Sequence, residues 1–224
     1  MLVRQRVTVG MVVAIVAAVT AFGVTGCGLE PAGFVALAGP GSSQSAVAAS
    51  AAAGSQAASA VPTVKATFTV AIAAVASFGS PPAAYEMSVM SAIGTRQPIP
   101  GYSATMISDL EASGRAAIRE YFGPPQEAAE RTALATAMAL DSGSRVINLS
   151  SGVEKVSFGS VTVSGSVATV TARVTTWRRS VVREPLGASW RTQALVRVLA
   201  YTATLRHSMG GSWQVTLLSS VGVG

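Results

Sequence analysis

The feature that most constrains this chain is its beginning. Between Arg6 and Glu30 no residue carries a charge, and Val7 to Val24 is built almost wholly from Val, Ala, Ile, Met, Thr, Gly and Phe. A run this long and this apolar must leave water. Arg4 and Arg6 precede it, which gives the basic n-region and apolar h-region of an export signal. An uncleaved membrane helix satisfies the same composition, because Val7 to Gly26 would span about 30 Å as a helix, enough to cross a bilayer core. Either way the basic end stays in the cytoplasm and the rest of the chain lies outside.

The end of the run bears on the choice between the two. Val24-Thr25-Gly26-Cys27 has an aliphatic residue, two small residues and a cysteine, and Cys27 is the only cysteine in the chain. The tetrapeptide resembles the lipobox of bacterial lipoproteins. That resemblance implies that residues 1–26 are removed as a signal peptide and that the Cys27 thiol is diacylated. A plain transmembrane anchor gives no reason for a lone cysteine at this position. Lipidation at Cys27 is therefore the favoured anchor, with a retained helix as the alternative.

Residues 27–63 read as a tether. Nothing is charged between Glu30 and Lys65, and Gly41 to Thr63 is nearly all Ser, Ala, Gly, Val and Gln. Such a stretch buries too little side chain to offset its ordering entropy. As a coil it would span on the order of 25 Å, and its alanines favour some helix. The remaining residues, 64–224, suffice for one domain. With a single cysteine, that domain must be held by a core rather than by disulfides.

Within it, Val64 to Phe78 fits two periods. Phe68, Val70 and Ile72 alternate as in a strand, whereas Val64, Phe68, Ile72 and Val75 form a helical stripe. The segment between Gly79-Ser80-Pro81-Pro82 and Gln97-Pro98-Ile99-Pro100-Gly101 has no sharp period. Ser103 to Phe122 is predicted as a helix capped by Ser103, with Met106, Ile107, Leu110, Gly114, Ala117, Ile118, Tyr121 and Phe122 at helical spacing. Gly123-Pro124-Pro125 ends it, and a second, alanine-rich helix runs from Gln126 to about Leu140. After Ser151 the chain reads as strands: Val153 to Phe158, Val161 to Val163, Val167 to Arg178, Trp190 to Arg206 and Trp213 to Leu218. The apolar residues of Trp190 to Arg206 change face near the middle, which predicts a bulge or bend. Arg183 to Gly187, with Pro185, reads as a loop. Helices followed by antiparallel strands give an α+β fold, with helices packed on a strongly curved antiparallel sheet.

Four stretches carry a family resemblance: Tyr121-Phe-Gly-Pro124, Val163-Ser-Gly-Ser-Val-Ala-Thr-Val-Thr-Ala-Arg-Val174, Tyr201-Thr-Ala-Thr-Leu-Arg206 and Gly210-Gly-Ser-Trp-Gln-Val215. Together they look like the nuclear-transport-factor-two-like, cystatin-like cone superfamily over residues 103–219. The order of anchor, tether and cone is similar to actinobacterial exported lipoproteins and mammalian-cell-entry-associated proteins. The resemblance implies a conical pocket between helices and sheet. Members use that pocket for ligands, catalysis or dimer contacts, so the fold does not choose among them.

Catalytic chemistry is sparse. The chain has one histidine, His207, beside a hairpin turn, and one cysteine. This disfavours zinc sites and a Ser-His-acid triad. No phosphate loop of standard spacing occurs, and no cofactor or metal is expected. In the strand half only Glu154 and Glu184 are acids. Tyr201, Trp177, Trp190 and Trp213 are most simply core fill. Asn148-Leu149-Ser150 matches a glycosylation sequon by chance.

Charge separation is the one positive signal. From Ser151 onward eight basic residues stand against two acids, whereas from Pro81 to Ser150 five arginines stand against seven acids. Arg178, Arg179 and Arg183 cluster at one strand end beside Trp177, the composition of an interaction patch. Taken singly, such charges equally form a solvated face. The expected function is a lipid-anchored, non-enzymatic accessory or scaffold module of a cell-envelope complex. Its partners would be the membrane, through the acylated N-terminus, and envelope proteins, and nucleic acid is disfavoured. The alternatives are a carrier of an apolar small molecule or, further off, a cone-fold isomerase or hydrolase. The pocket discriminates: a cone filled by its own side chains favours the scaffold, an open apolar cavity the carrier, and a buried carboxylate the enzyme.

Overall fold

The computed structural model describes residues 42–141, 146–183 and 189–223. The signal segment, Cys27, Glu184 and Pro185 lie outside the described residues. Among the described residues four helices precede four strands: α1 (Ser42–Ala76), α2 (Ala83–Thr95), α3 (Ala104–Tyr121), α4 (Gln126–Asp141), β1 (Val146–Ser164), β2 (Val167–Arg183), β3 (Trp190–His207) and β4 (Trp213–Gly222). The strands form one antiparallel sheet in the order β1-β2-β3-β4. The expected α+β fold of helices on an antiparallel sheet is the observed one.

The ambiguous stretch after Val64 is helical. Val64, Phe68, Ala71 and Ile72 are fully buried while Val70 is 44% exposed, so the 3.6-residue period decides against the strand. Helix α1 also begins at Ser42, inside the segment expected to be a coil tether. Alanine is the strongest helix former, and once the later turns pack on the sheet the alanine-rich N-terminal turns propagate from them. Ala60 already packs against the core, so the domain reaches back beyond Val64. The stretch Ala57–Ala76 is apolar enough to cross a membrane by length and composition, yet its buried face is spent on the sheet.

Helix α3 has the predicted cap: the Ser103 hydroxyl accepts from the Met106 amide at 3.1 Å. Helix α4 starts at Gln126 as expected. Helix α2 had no sequence signal. It buries only Tyr85, Val89 and Ala92, in a small cluster with Leu149 and Val181. By the two-residue alternation of a strand, Val181 projects to the opposite side of β2 from Val170 and Val174, which pack beneath α1. Helix α2 therefore covers the far side of that sheet end.

The strands differ from expectation at β1 and β3. β1 is a single strand from Val146, its pairing with β2 interrupted by register shifts at Asn148/Ser150, Val153/Lys155 and Phe158/Ser160. Each shift adds local twist, which lets one long strand follow the helices. The β1–β2 hairpin closes through Gly165 at φ +56°, the region glycine favours. The bulge expected in the middle of β3 is absent. β3 pairs with β2 without interruption from Arg206 to Trp190, and an irregularity occurs only toward β4, at Thr204/Leu205. The apolar pattern changes face because the first half of β3 leaves the core: Arg191 to Val198 are all exposed.

Candidate functional site

The space between helices and sheet is filled from within. Phe68 meets Phe158 edge-on at 5.8 Å and Tyr201 at 6.3 Å. Phe122, Leu205, Val170 and Val215 are buried in the same cluster. Trp213 belongs to this core, and His207 stays exposed, edge-on to its ring at 5.2 Å. Tyr201 packs as expected of core fill, half-buried against Phe68.

Where α1 ends, the helix-bearing face of the sheet continues. The last turn of α1 is tied to β1 by serines. Ser151 donates its hydroxyl to the Ala76 carbonyl at 2.8 Å, and the Ser151 amide donates to the Ser80 hydroxyl at 3.0 Å. Beyond this junction a groove of about 230 Å³ opens, lined by Val75, Ala76, Arg178, Leu195, Arg197 and Tyr201 among others. That is below the roughly 300–1,000 Å³ of ordinary small-molecule pockets. Arg178 lies opposite Leu195 and Thr176 opposite Arg197, so the two arginines are diagonal neighbours on one face. Among the described residues neither forms an ion pair.

The basic cluster expected from the sequence is split. Arg178 faces the groove. Arg179, one residue on, points to the other side, where it pairs with Glu86 of α2 at 2.6 Å. Glu86 also accepts from the Ser150 hydroxyl at 3.3 Å. Trp177 covers Gly152, and a Cβ added there would stand 3.3 Å from the indole. Arg183 is exposed at the end of β2, opposite Trp190. Arg197, and not Arg179, is thus the partner of Arg178. Consecutive residues of a strand cannot share a face.

One acid was not anticipated. Glu130 of α4 is 5% exposed, and its carboxylate accepts from Gln126 Nε2 at 2.7 Å. Gln126 Oε1 accepts in turn from the Leu218 amide of β4 at 3.0 Å. Burial pushes the Glu130 carboxyl above its ordinary value, against the opposing pull of the Gln126 bond. Burial, then the Glu130 charge, raise the Tyr201 hydroxyl, and a bond to Ser220 opposes them. The signal was present: Gln126, Glu130, Leu134 and Met138 recur every four residues. Glu130 is not among the groove's lining residues. It is a fastener between α4 and β4, and no substrate-sized space adjoins it in that groove.

Asn148 of the sequon is buried in β1 and donates to the Gly79 carbonyl at 3.1 Å, which closes it to glycosylation. Glu154 is exposed. Among the described residues no group of His, Cys, Asp or Glu is placed to hold a metal ion.

No family model matches this chain, and no curated protein matches it. Among solved structures, it is similar to the intermembrane space region of chloroplast protein ARC6. The identity is 19% and the TM-score 0.35, over 49% of this chain and 78% of that one. It is also similar to an Ntf2-like protein involved in plasmid conjugation, at 9% identity and TM-score 0.21, over 49% of this chain and 46% of that one. Likeness at these scores assigns this chain neither an activity nor a partner.

Proposed function

We propose that this chain is an extracytoplasmic module, held at the membrane through an acylated Cys27, that serves as a non-enzymatic accessory or scaffold in a cell-envelope complex of the transport or secretion type. The observation that carries the reading is where the free surface lies. The interior is packed by the chain's own aromatic side chains, while Arg191–Val198 of β3 stands outside the core. A carrier needs the interior open, and an enzyme needs an acid or nucleophile that a substrate can reach. Glu130, the buried acid, is engaged by Gln126 and does not line the groove. In its finer form the proposal likens the chain to actinobacterial exported lipoproteins and mammalian-cell-entry-associated proteins, on the lipobox and the strand motifs.

Stable anchoring requires more than one acyl chain, and a diacylated cysteine supplies two. The test is to grow cells with labelled fatty acid and purify the full chain from their membranes in mild detergent. The wild type should carry label and bring stoichiometric envelope proteins with it. Cys27→Ala should carry no label and leave the membrane fraction or accumulate as precursor. An unlabelled wild type replaces lipidation with a membrane-helix anchor. A labelled protein that purifies alone refutes the scaffold.

A further inference from the structure

We infer that the open edge of β3, Trp190–Arg197, is a strand-addition site for an extended acidic segment of a partner protein. This deepens the scaffold reading and rests on it.

Among the described residues β4 covers only part of β3. Its pairing with β3 ends at Leu199, opposite Gly222, and the last bond is from the Val223 amide to the Val198 carbonyl at 3.0 Å. That bond shows the Val198 backbone facing away from β2. The N–H and C=O of a strand residue point to the same side, and the side alternates along the strand. β3 runs against β2 without a register shift, so Val196, Ala194, Thr192 and Trp190 present their amides and carbonyls at the same open edge. Among the described residues nothing pairs with them. Eight residues give about 26 Å of edge.

The other two edges of the sheet are managed. β1 is broken by three register shifts. β4 is occupied at Val215 by the Gly123 amide, at 2.9 Å, and at Leu218 by the Gln126 side chain. The β3 edge has no glycine, proline or register shift. Its only obstacles to unwanted pairing are Arg191 and Arg197, and lone charges are how natural edges refuse the wrong strand.

Those charges also choose the occupant. Arg191, Leu195 and Arg197 lie on the groove face with Arg178, while Val196 and Val198, 59% and 38% exposed, lie on the other face. An added strand would therefore set acidic side chains over the groove and apolar ones on the far side, an alternating pattern. A second copy does not fit. The antiparallel register that pairs the free groups, Trp190 opposite Val196, brings Arg191 of each copy diagonal to Arg197 of the other on one face, and like charges at such neighbouring positions repel. Main-chain bonds would supply affinity, and the arginines register and partner choice.

The test uses the full chain in detergent. The probe is a fluorescent acetylated octapeptide of alternating Glu and Val, with a Lys/Val peptide and an N-methylated Glu/Val peptide as controls. Wild type should bind the Glu/Val peptide in a salt-sensitive way and slow amide exchange at Thr192, Ala194 and Val196. N-methylation should abolish binding. Arg191→Glu with Arg197→Glu should weaken the Glu/Val peptide about tenfold and gain the Lys/Val peptide. The exchange readout on wild type stands even if that double variant folds poorly. Equal binding of the N-methylated peptide, or unchanged exchange along the edge, overturns strand addition. So does edge protection produced only by self-association, or by phosphatidylglycerol vesicles while the peptide leaves the edge exposed. If the double variant keeps the membrane partners of the wild type, this inference falls and the scaffold reading survives. If the wild type has no membrane partners, the scaffold reading falls whatever the peptide does.

Discussion

Replacing Phe68 with alanine separates the two periods that Val64 to Phe78 could have followed. In a strand, Phe68, Val70 and Ile72 would share one face and cost similar amounts to truncate. In α1 they do not: Phe68 and Ile72 are buried and Val70 is nearly half exposed. Removing a buried phenylalanine costs about 3–5 kcal/mol, the loss growing with the cavity left behind. Phe68 also gives up edge-on contacts to Phe158 and Tyr201, and aromatic pairs of this kind contribute about 0.5–1.5 kcal/mol beyond area. We expect about 4 kcal/mol, out of a total stability of about 5–15 kcal/mol for a domain. With a urea slope of about 2 kcal/mol/M the midpoint would fall by about 2 M. Val70→Ala should change stability by less than about 0.5 kcal/mol. The assay is urea unfolding of the full chain in detergent, followed by tryptophan fluorescence, since Trp213 sits in the same core. Equal shifts for the two variants would refute the packing described for α1.

Other expectations follow from the same contacts. Glu130→Gln keeps the size of the side chain and an acceptor for Gln126, but removes a buried charge. A carboxyl whose folded pKa is raised keeps its proton where the unfolded chain has already released it. Stability is therefore lost as pH rises from the ordinary glutamate value through the folded one. Glu130→Gln should be stabilising at neutral pH and neutral below the ordinary value, and denaturation at about pH 3.5 and about pH 7, on either side of an ordinary carboxylate pKa, would check it. Ser103→Ala removes the α3 cap and should cost about 1 kcal/mol by thermal melting. A chain begun at Gly41 should unfold cooperatively with a higher midpoint than one begun at Val64. The shorter chain loses the Ala60 contact and leaves Val64 in a frayed first turn. Equal midpoints would place the domain boundary at Val64 after all.

How much of this was legible depended on whether one period dominated. Helix α3 alternates charged and apolar residues at 3.6-residue spacing, and its cap is explicit, so its limits were readable. Helix α2 was not, because Ala83 to Thr95 is apolar on most sides and buries only three residues. In Val64 to Phe78 two periods coexist, and only the sheet beneath could choose. The basic patch misled through adjacency: Arg178 and Arg179 are neighbours in the chain and so on opposite faces in a strand, while Arg197, nineteen residues away from Arg178, is its neighbour across β2 and β3. The open edge was legible as arithmetic, since Trp190 to Arg206 is much longer than the Trp213 strand that follows it. Glu130 was hidden because acids were sought in the strand half rather than on the inward stripe of α4.

The placement of α1 sets the order in which this protein can assemble. Its core face needs Phe158 and Tyr201, which lie about ninety and more than a hundred and thirty residues later in the chain. The strands, in contrast, close through neighbouring hairpins, β1 with β2, β2 with β3 and β3 with β4, and short closures are entropically cheap. The sheet can therefore form first, with α1 docking last as a preformed or induced helix. A chain emerging from a membrane N-terminus first would keep its central helix uncommitted until nearly the whole sequence had crossed. Under the proposed export such a delay would keep the chain unfolded in transit, and protection from exchange at Phe68 appearing later than at Val170 would be the kinetic signature of this topology.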